Sequence, residues 1–352
     1  MQKMLSRKTF IKSMGIFAGF TLFPTVNSFS QINSEKISPE KIIPKRLKKG
    51  DLIGLVTPAG VITKKQLKST IENVEKLGFK AYYQPSILSE YGYLAGTDQE
   101  RANELMHMFT NKDVDCILCA RGGYGAIRIL DLLDFKQIAA NPKILIGYSD
   151  ITAFLSSIYE KSGLVTFHGP VGISSFNDYT TESFDDILVN PKKHYKYPYQ
   201  REKDSDDNPE FDFYTITEGK AEGELIGGNM SVIVSMIGSK FETDFENKLV
   251  YLEEVGEKTY KVDRMLTQLL QATNLKKASG IVLGIFSDCD VNDEPTFSLK
   301  EILTQILKPL NIPIVYGFPF GHVSTKMTIP TGILAKFNAS KKTLKLMEKT
   351  VL

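Results

Sequence analysis

The segment KILIGYSDITAFLSSIYEKSGLVTFHGP, residues 143–170, holds a strand, a helix and a second strand in one run. KILIG is short and apolar, as a strand buried on both faces must be, and LVTFHGP reads the same way. ITAFLSSIYEKSG between them reads as a helix. Upstream, GDLIGLVTPAG is a strand ending in a Pro/Gly turn. TKKQLKSTIENVEKLG follows it, with Leu67, Ile71, Val74 and Leu77 at helical spacing. FKAYYQP is another strand. Thr97-Asp-Gln-Glu100 is a capping box opening a helix that runs to about Asn111. DVDCILCA is a third strand, closed by the glycine-rich RGGYG, and AIRILDLLDF reads as a helix. Short apolar strands alternating with helices predict a parallel sheet covered on both faces, with its active site at the carboxyl ends of the strands.

The expected fold is therefore α/β, with an N-terminal parallel-sheet domain of flavodoxin/Rossmann-like type over 45–170. Residues 171–214 are polar and aromatic and read as a linker or surface excursion. From 215 to 347 strand-like and helical runs are less regularly spaced, which predicts a mixed α/β domain. The first thirty residues differ from the rest. MQKMLSRKTFIK is basic, GIFAGFTLF is apolar and NSFS supplies small residues, the pattern of a cleaved export signal. SRKTFIK resembles a twin-arginine signal with lysine in place of the second arginine. The expectation is an exported, periplasmic protein with no membrane attachment once the signal is removed.

The 352 residues carry a net charge of +2 and 24% charged side chains, which gives no reason to expect a nucleic-acid partner. Cys116 and Cys119 form a C-x-x-C pair inside a strand-like run, with no second pair to complete a metal site. No metal and no cofactor are expected.

Ser149 in LIGYSDIT stands between a strand and a helix, where a sharp turn lifts a hydroxyl above the sheet. The first amides of the helix, that of Asp150 included, point there unpaired and suit a developing oxyanion. The competing reading is a helix cap, since Ser and Asp are favoured caps. RGGYG lacks the third glycine of a dinucleotide fingerprint, and its consecutive glycines fit either a second oxyanion donor or a tight turn. Of four histidines, His107 lies on a helix and His194 in the linker. His168 and His322 each end a strand, and His322 has the more open setting. Glu253 and Glu254 in YLEEVGE point to opposite faces of a strand, so only one can face a cleft.

RGGYGAIRIL, LIGYSDIT, TFHGP, ELIGGNMSVI, LEEVGEKTYKVDRML and GFPFGHVSTKMTIPTG, in this order, resemble the L,D-carboxypeptidases of serine peptidase family S66. The likeness spans nearly the whole chain after the export signal. It implies a C-terminal domain with a β-barrel-like core and a homodimer. It also implies a Ser149–Glu253–His322 triad, with oxyanion donors from the backbone N–H groups of Asp150 and Gly123. The implied substrate is a peptidoglycan tetrapeptide that loses its C-terminal D-alanine. The alternatives are a hydrolase of the microcin-immunity branch acting on another amide, and a non-catalytic binder of wall peptides. Arg121, Arg128 and Arg264 are candidates by charge for holding the substrate's terminal carboxylate.

Overall fold

A computed structural model describes residues 39–202, 208–290 and 295–352. The export signal expected at 1–30 lies outside the described residues. The N-terminal sheet is built from β1 (Leu52–Val56), β2 (Lys80–Tyr82), β3 (Cys116–Cys119), β4 (Ile144–Gly147) and β5 (Thr166–His168). These pair in the order 2-1-3-4-5, all parallel. That is the flavodoxin-like order, whose direction reverses between β1 and β3.

Helices α1 (Lys64–Lys76), α2 (Asp98–Thr110), α3 (Ala126–Ile129), α4 (Phe135–Ala140) and α5 (Thr152–Ser162) connect the strands. The capping box at Thr97 and Glu100 is formed, and a second one at Thr63 and Gln66 opens α1. AIRILDLLDF, expected as one helix, is broken. A 3₁₀ turn follows α3, and the Asp134 side chain then accepts the amides of Lys136 and Gln137 to start α4. An aspartate free to bond the backbone ahead of it favours a new cap over an uninterrupted helix.

Side chains alternate along the strands between two separate cores. Ile53 and Leu55, Cys116 and Leu118, and Ile144 and Ile146 join one cluster. Val56, Ile117, Cys119 and Leu145 join another. That is the period-two pattern of a sheet buried on both faces. The stretch 171–214 holds helix α6 (Asp178–Leu188), whose Phe184, Ile187 and Leu188 enter the first of these cores. Buried Tyr197 donates its hydroxyl to the Thr328 carbonyl at 2.7 Å. The segment thus connects the sheets but does not lie wholly on the surface, because its aromatic residues bury area that solvent would leave exposed.

The second sheet contains β6 (Tyr214–Thr217), β7 (Lys220–Asn229), β8 (Leu249–Val255), β9 (Gly280–Ser287) and β10 (Ile314–Tyr316). Helices α7 (Met230–Ser235), α8 (Thr259–Ala272) and α9 (Leu299–Leu307) are interspersed with them. After β11 (Ile329–Thr331), β12 (Leu334–Asn338) and β13 (Thr343–Leu346) complete this sheet in the order 13-12-7-8-9-10-6. Its central strands β7 to β10 are parallel and its flanks antiparallel, and the sheet curls into a half-barrel. β11 leaves it and pairs antiparallel with β5, covering the open edge of the N-terminal sheet. Leu225, Leu249 and Phe337 of the second sheet share one core cluster with Ile53 and Leu55 of the first. The two halves are thus joined by a common core.

Candidate active site

Strand β4 delivers the chain to its carboxyl end fully buried. Tyr148 is still extended, with φ −149° and ψ −174°, but Ser149 turns to φ +64° before a 3₁₀ turn at Ser149–Ile151 leads into α5. A serine with left-handed backbone is strained, typically by 1–3 kcal/mol, and such strain persists only where the surroundings enforce it. The residues at the N-cap positions of the 3₁₀ turn and of α5 are Tyr148 and Ile151, neither of them the serine. Ser149 therefore does not cap the helix. The residue is half-buried at the head of the turn.

The glycine loop after β3 packs directly on it. A Cβ at Gly122 would lie 2.9 Å from Ser149 Cβ and 3.2 Å from Ser149 Oγ, so only glycine fits. Gly123 is next along the same loop and backs onto Gly60. The Asp150 carboxylate accepts the Ala126 amide at 2.8 Å and so ties the serine turn to this loop. Burial pushes that carboxyl upward, against the Ala126 bond and the charge of Arg101.

The acid and the imidazole come from the other sheet. Glu253 in β8 is fully buried and its Oε2 lies 2.8 Å from His322 Nδ1. Burial pushes the Glu253 carboxyl up, but the His322 charge and hydrogen bond outweigh it, and the group sits below its ordinary value. At Gly321, φ is +115° and an added Cβ would come within 2.9 Å of Glu253 Oε2. The glycine before His322 thus lets the loop approach the carboxylate. Glu254 points the other way, accepting the Ser231 amide at 2.8 Å and an Asn229 side-chain N–H at 3.2 Å. Burial pushes it up to about 7.

Tyr148 joins the two halves. Its ring meets the His322 ring edge-on at 4.9 Å, one residue from Ser149. The Lys326 ammonium lies over the same ring at 5.2 Å, and burial lowers that amine to about 8. His168, the other strand-end histidine, is fully buried among the rings of Tyr148, Tyr251 and Phe320. Burial lowers it to about 4, so it is neutral at pH 7, and its Nδ1 has no partner among the described residues. His107 bonds the Tyr82 hydroxyl on the sheet's flank.

Cys116 and Cys119 are buried free thiols, and burial raises both. Among the described residues no group of three or more His, Cys, Asp or Glu side chains is placed to hold a metal ion. Tyr148, Lys326 and the Asp150 carboxylate were not legible as site residues. Adjacency to Ser149 was the only signal for the first and last, and nothing local marked Lys326.

The family models for the LD-carboxypeptidase N-terminal and C-terminal domains match residues 53–169 and 222–337. The chain belongs to the LD-carboxypeptidases, peptidase family S66. A probable murein peptide carboxypeptidase of Bacillus subtilis is 38% identical over 301 residues, 85% of this chain and 92% of its own. The microcin C7 self-immunity protein MccF of Escherichia coli is 32% identical, over 85% of this chain and 94% of its own. A solved structure of MccF in its wild-type apo state superposes with a TM-score of 0.81 at 28% identity, covering 88% of this chain and 100% of that one. A muramoyltetrapeptide carboxypeptidase from Oxalobacter formigenes gives 0.72 at 30% identity, covering 84% and 97%. Membership of this family makes the chain a serine-type carboxypeptidase.

Proposed function

We propose that this peptidase releases the C-terminal D-alanine from peptidoglycan tetrapeptides through a Ser149–Glu253–His322 triad. The observation that carries the reading is the Glu253–His322 contact set beside a serine held in left-handed backbone. With Nδ1–H donated to Glu253, His322 keeps Nε2 free to accept the Ser149 proton. Ser149 Oγ attacks the carbonyl, and the amides of Asp150 and Gly123 receive the oxyanion, at about 3 kcal/mol per donor. The imidazolium, stabilised by buried Glu253, passes its proton to the departing amine. Water then attacks the acyl-enzyme with His322 again as base. Incubation with disaccharide-tetrapeptide should remove the mass of one alanine, and Ser149→Ala should abolish this while leaving the fold intact. Undiminished turnover by Ser149→Ala ends the proposal.

The basic, apolar, small-residue order of the first thirty residues supports export to the periplasm, where wall peptides are accessible. The family resemblance supports a homodimer, which sedimentation of the mature chain tests. The likeness to MccF favours a second reading, hydrolysis of an amide in a peptide–nucleotide conjugate. Comparing turnover of the tetrapeptide with that of an aminoacyl-sulfamoyl adenosine separates the two.

A further inference from the structure

A cavity of about 520 Å³ opens outside the carboxyl ends of β1 and β3, lined by Gly60, Val61, Tyr93, Arg121, Gly123 and Tyr124. It lies where the strand order reverses, the place at which open α/β sheets bind ligands. One wall is the loop that packs on Ser149. A larger cavity, of about 560 Å³, lies among Asp51, Asp115 and Lys143, at the amino ends of the same strands and so at the wrong end of the sheet for Ser149.

Arg121 brings the cavity its positive charge. Its Nη1 donates to the Val61 carbonyl at 2.9 Å, its only hydrogen bond among the described residues. That bond holds the fork against the cavity wall and leaves most of its five N–H donors for a ligand. The other two candidate arginines are differently engaged. Arg128 is exposed and forked onto Asp98 at 2.9 and 3.2 Å. Arg264 lies over the Tyr260 ring at 5.5 Å, on α8 of the other half. Lys326 is buried and donates to the Val323 carbonyl. At the rim, the exposed rings of Tyr93 and Tyr124 meet edge-on at 5.5 Å and narrow the approach to the guanidinium.

Spacing selects the ligand. Arg121 precedes Gly122, whose Cβ position is 3.2 Å from Ser149 Oγ. Consecutive Cα atoms are about 3.8 Å apart. In a substrate whose leaving group is a single amino acid, the carboxylate lies only two bonds beyond the departing nitrogen. The Arg121 backbone is thus one residue from the serine contact, and its guanidinium, held at the Val61 carbonyl in the adjoining cavity, is placed to meet that carboxylate. Bidentate charge-assisted bonds suit this geometry.

Building on the carboxypeptidase reading above, we propose that Arg121 is the specificity-determining anchor for the terminal carboxylate of the leaving residue. It confines the enzyme to free C-termini.

The test compares tetrapeptide bearing a free C-terminal D-alanine with the same peptide ending in D-alaninamide, each with diaminopimelate or lysine at its third position. Wild type should favour the acid over the amide in kcat/KM by about 10²-fold, the scale of a lost charge-assisted pair. In Arg121→Gln that ratio should collapse toward one, mostly through KM, and Arg121→Lys should recover part of it. A ratio near one in wild type, or an unaltered ratio in Arg121→Gln, overturns the inference. So does a loss that follows diaminopimelate rather than the terminal carboxylate. Fluorophosphonate labelling of wild-type Ser149 keeps the two levels apart. A labelled, active enzyme indifferent to the carboxylate sinks only the role of Arg121, whereas an unlabelled and inactive one sinks the triad reading beneath it.

Discussion

Replacing Gly122 by alanine asks whether the glycine loop and the Ser149 hydroxyl are as tightly fitted as their geometry implies. Gly122 is not among the glycines with positive φ, so alanine meets no backbone penalty there and the effect is steric alone. The new Cβ would stand 2.9 Å from Ser149 Cβ, 3.2 Å from Ser149 Oγ and 3.2 Å from the Tyr148 carbonyl. Carbon atoms settle at roughly 3.5–4.0 Å, so the loop and the serine must separate by about 0.6–1.1 Å. A displacement near 1 Å at a nucleophile costs about 10²-fold in rate. The same crowding costs stability about 1 kcal/mol, the low end for overpacking, because Gly122 is only partly buried and its loop can move outward. Gly122→Ala should therefore lose about two orders of magnitude in D-alanine release and in the rate of Ser149 labelling by a fluorophosphonate. Its denaturation midpoint should stay near that of wild type. An alanine variant with kcat/KM within threefold of wild type refutes the argument, as does one whose activity falls only because the protein unfolds.

Ser149→Gly should abolish turnover yet raise stability by about 1 kcal/mol in denaturant unfolding, because glycine relieves the left-handed strain at φ +64°; a less stable variant contradicts the strain. The Glu254 carboxyl, raised by burial to about 7 from an ordinary 4.5, holds its proton longer in the folded state than in the unfolded one. Its contribution is therefore lost as pH rises from about 4.5 to about 7, by on the order of 3 kcal/mol, and Glu254→Gln should flatten stability across that window. Glu224 behaves oppositely. Burial raises it, but Lys248, Lys41 and the Tyr159 hydroxyl outweigh burial and hold it at about 2. Its contribution is present above about 4.5 and lost as pH falls toward 2, so Glu224→Gln should remove part of the acid limb of the unfolding profile. An unchanged acid limb shows that the Lys41–Glu224–Lys248 cluster adds nothing.

Local pattern carried the N-terminal half. Continuous apolar strands, the Thr97 capping box and the strand–serine–helix order at 144–152 each depend on neighbouring residues, and each took the form expected. The helix expected at 126–135 broke because Asp134 competes for backbone amides, a choice between two local bonds that periodicity cannot make. Residues 171–214 look polar in sequence, yet Tyr179, Phe184, Tyr195 and Tyr197 are buried in the shared core, and Tyr197 bonds the Thr328 carbonyl more than a hundred residues away.

The sequence by itself determined the strand-and-helix alternation of the N-terminal half, the position of the serine at a strand's carboxyl end and, through six motifs in order, the family. Tertiary structure decided that β11 crosses over to the N-terminal sheet and that Arg121 rather than Arg128 or Arg264 lines a cavity walled by the glycine loop that packs on Ser149. It also set Glu253 and His322, which only the family resemblance had paired, against each other, while Glu254 turns away and His168 stays buried among aromatic rings. The reason is range. Periodicity, capping and turn chemistry act over a few residues along the chain. Burial, ion pairing and the pairing of sheet edges act between segments whose separation in sequence is no measure of their distance in space.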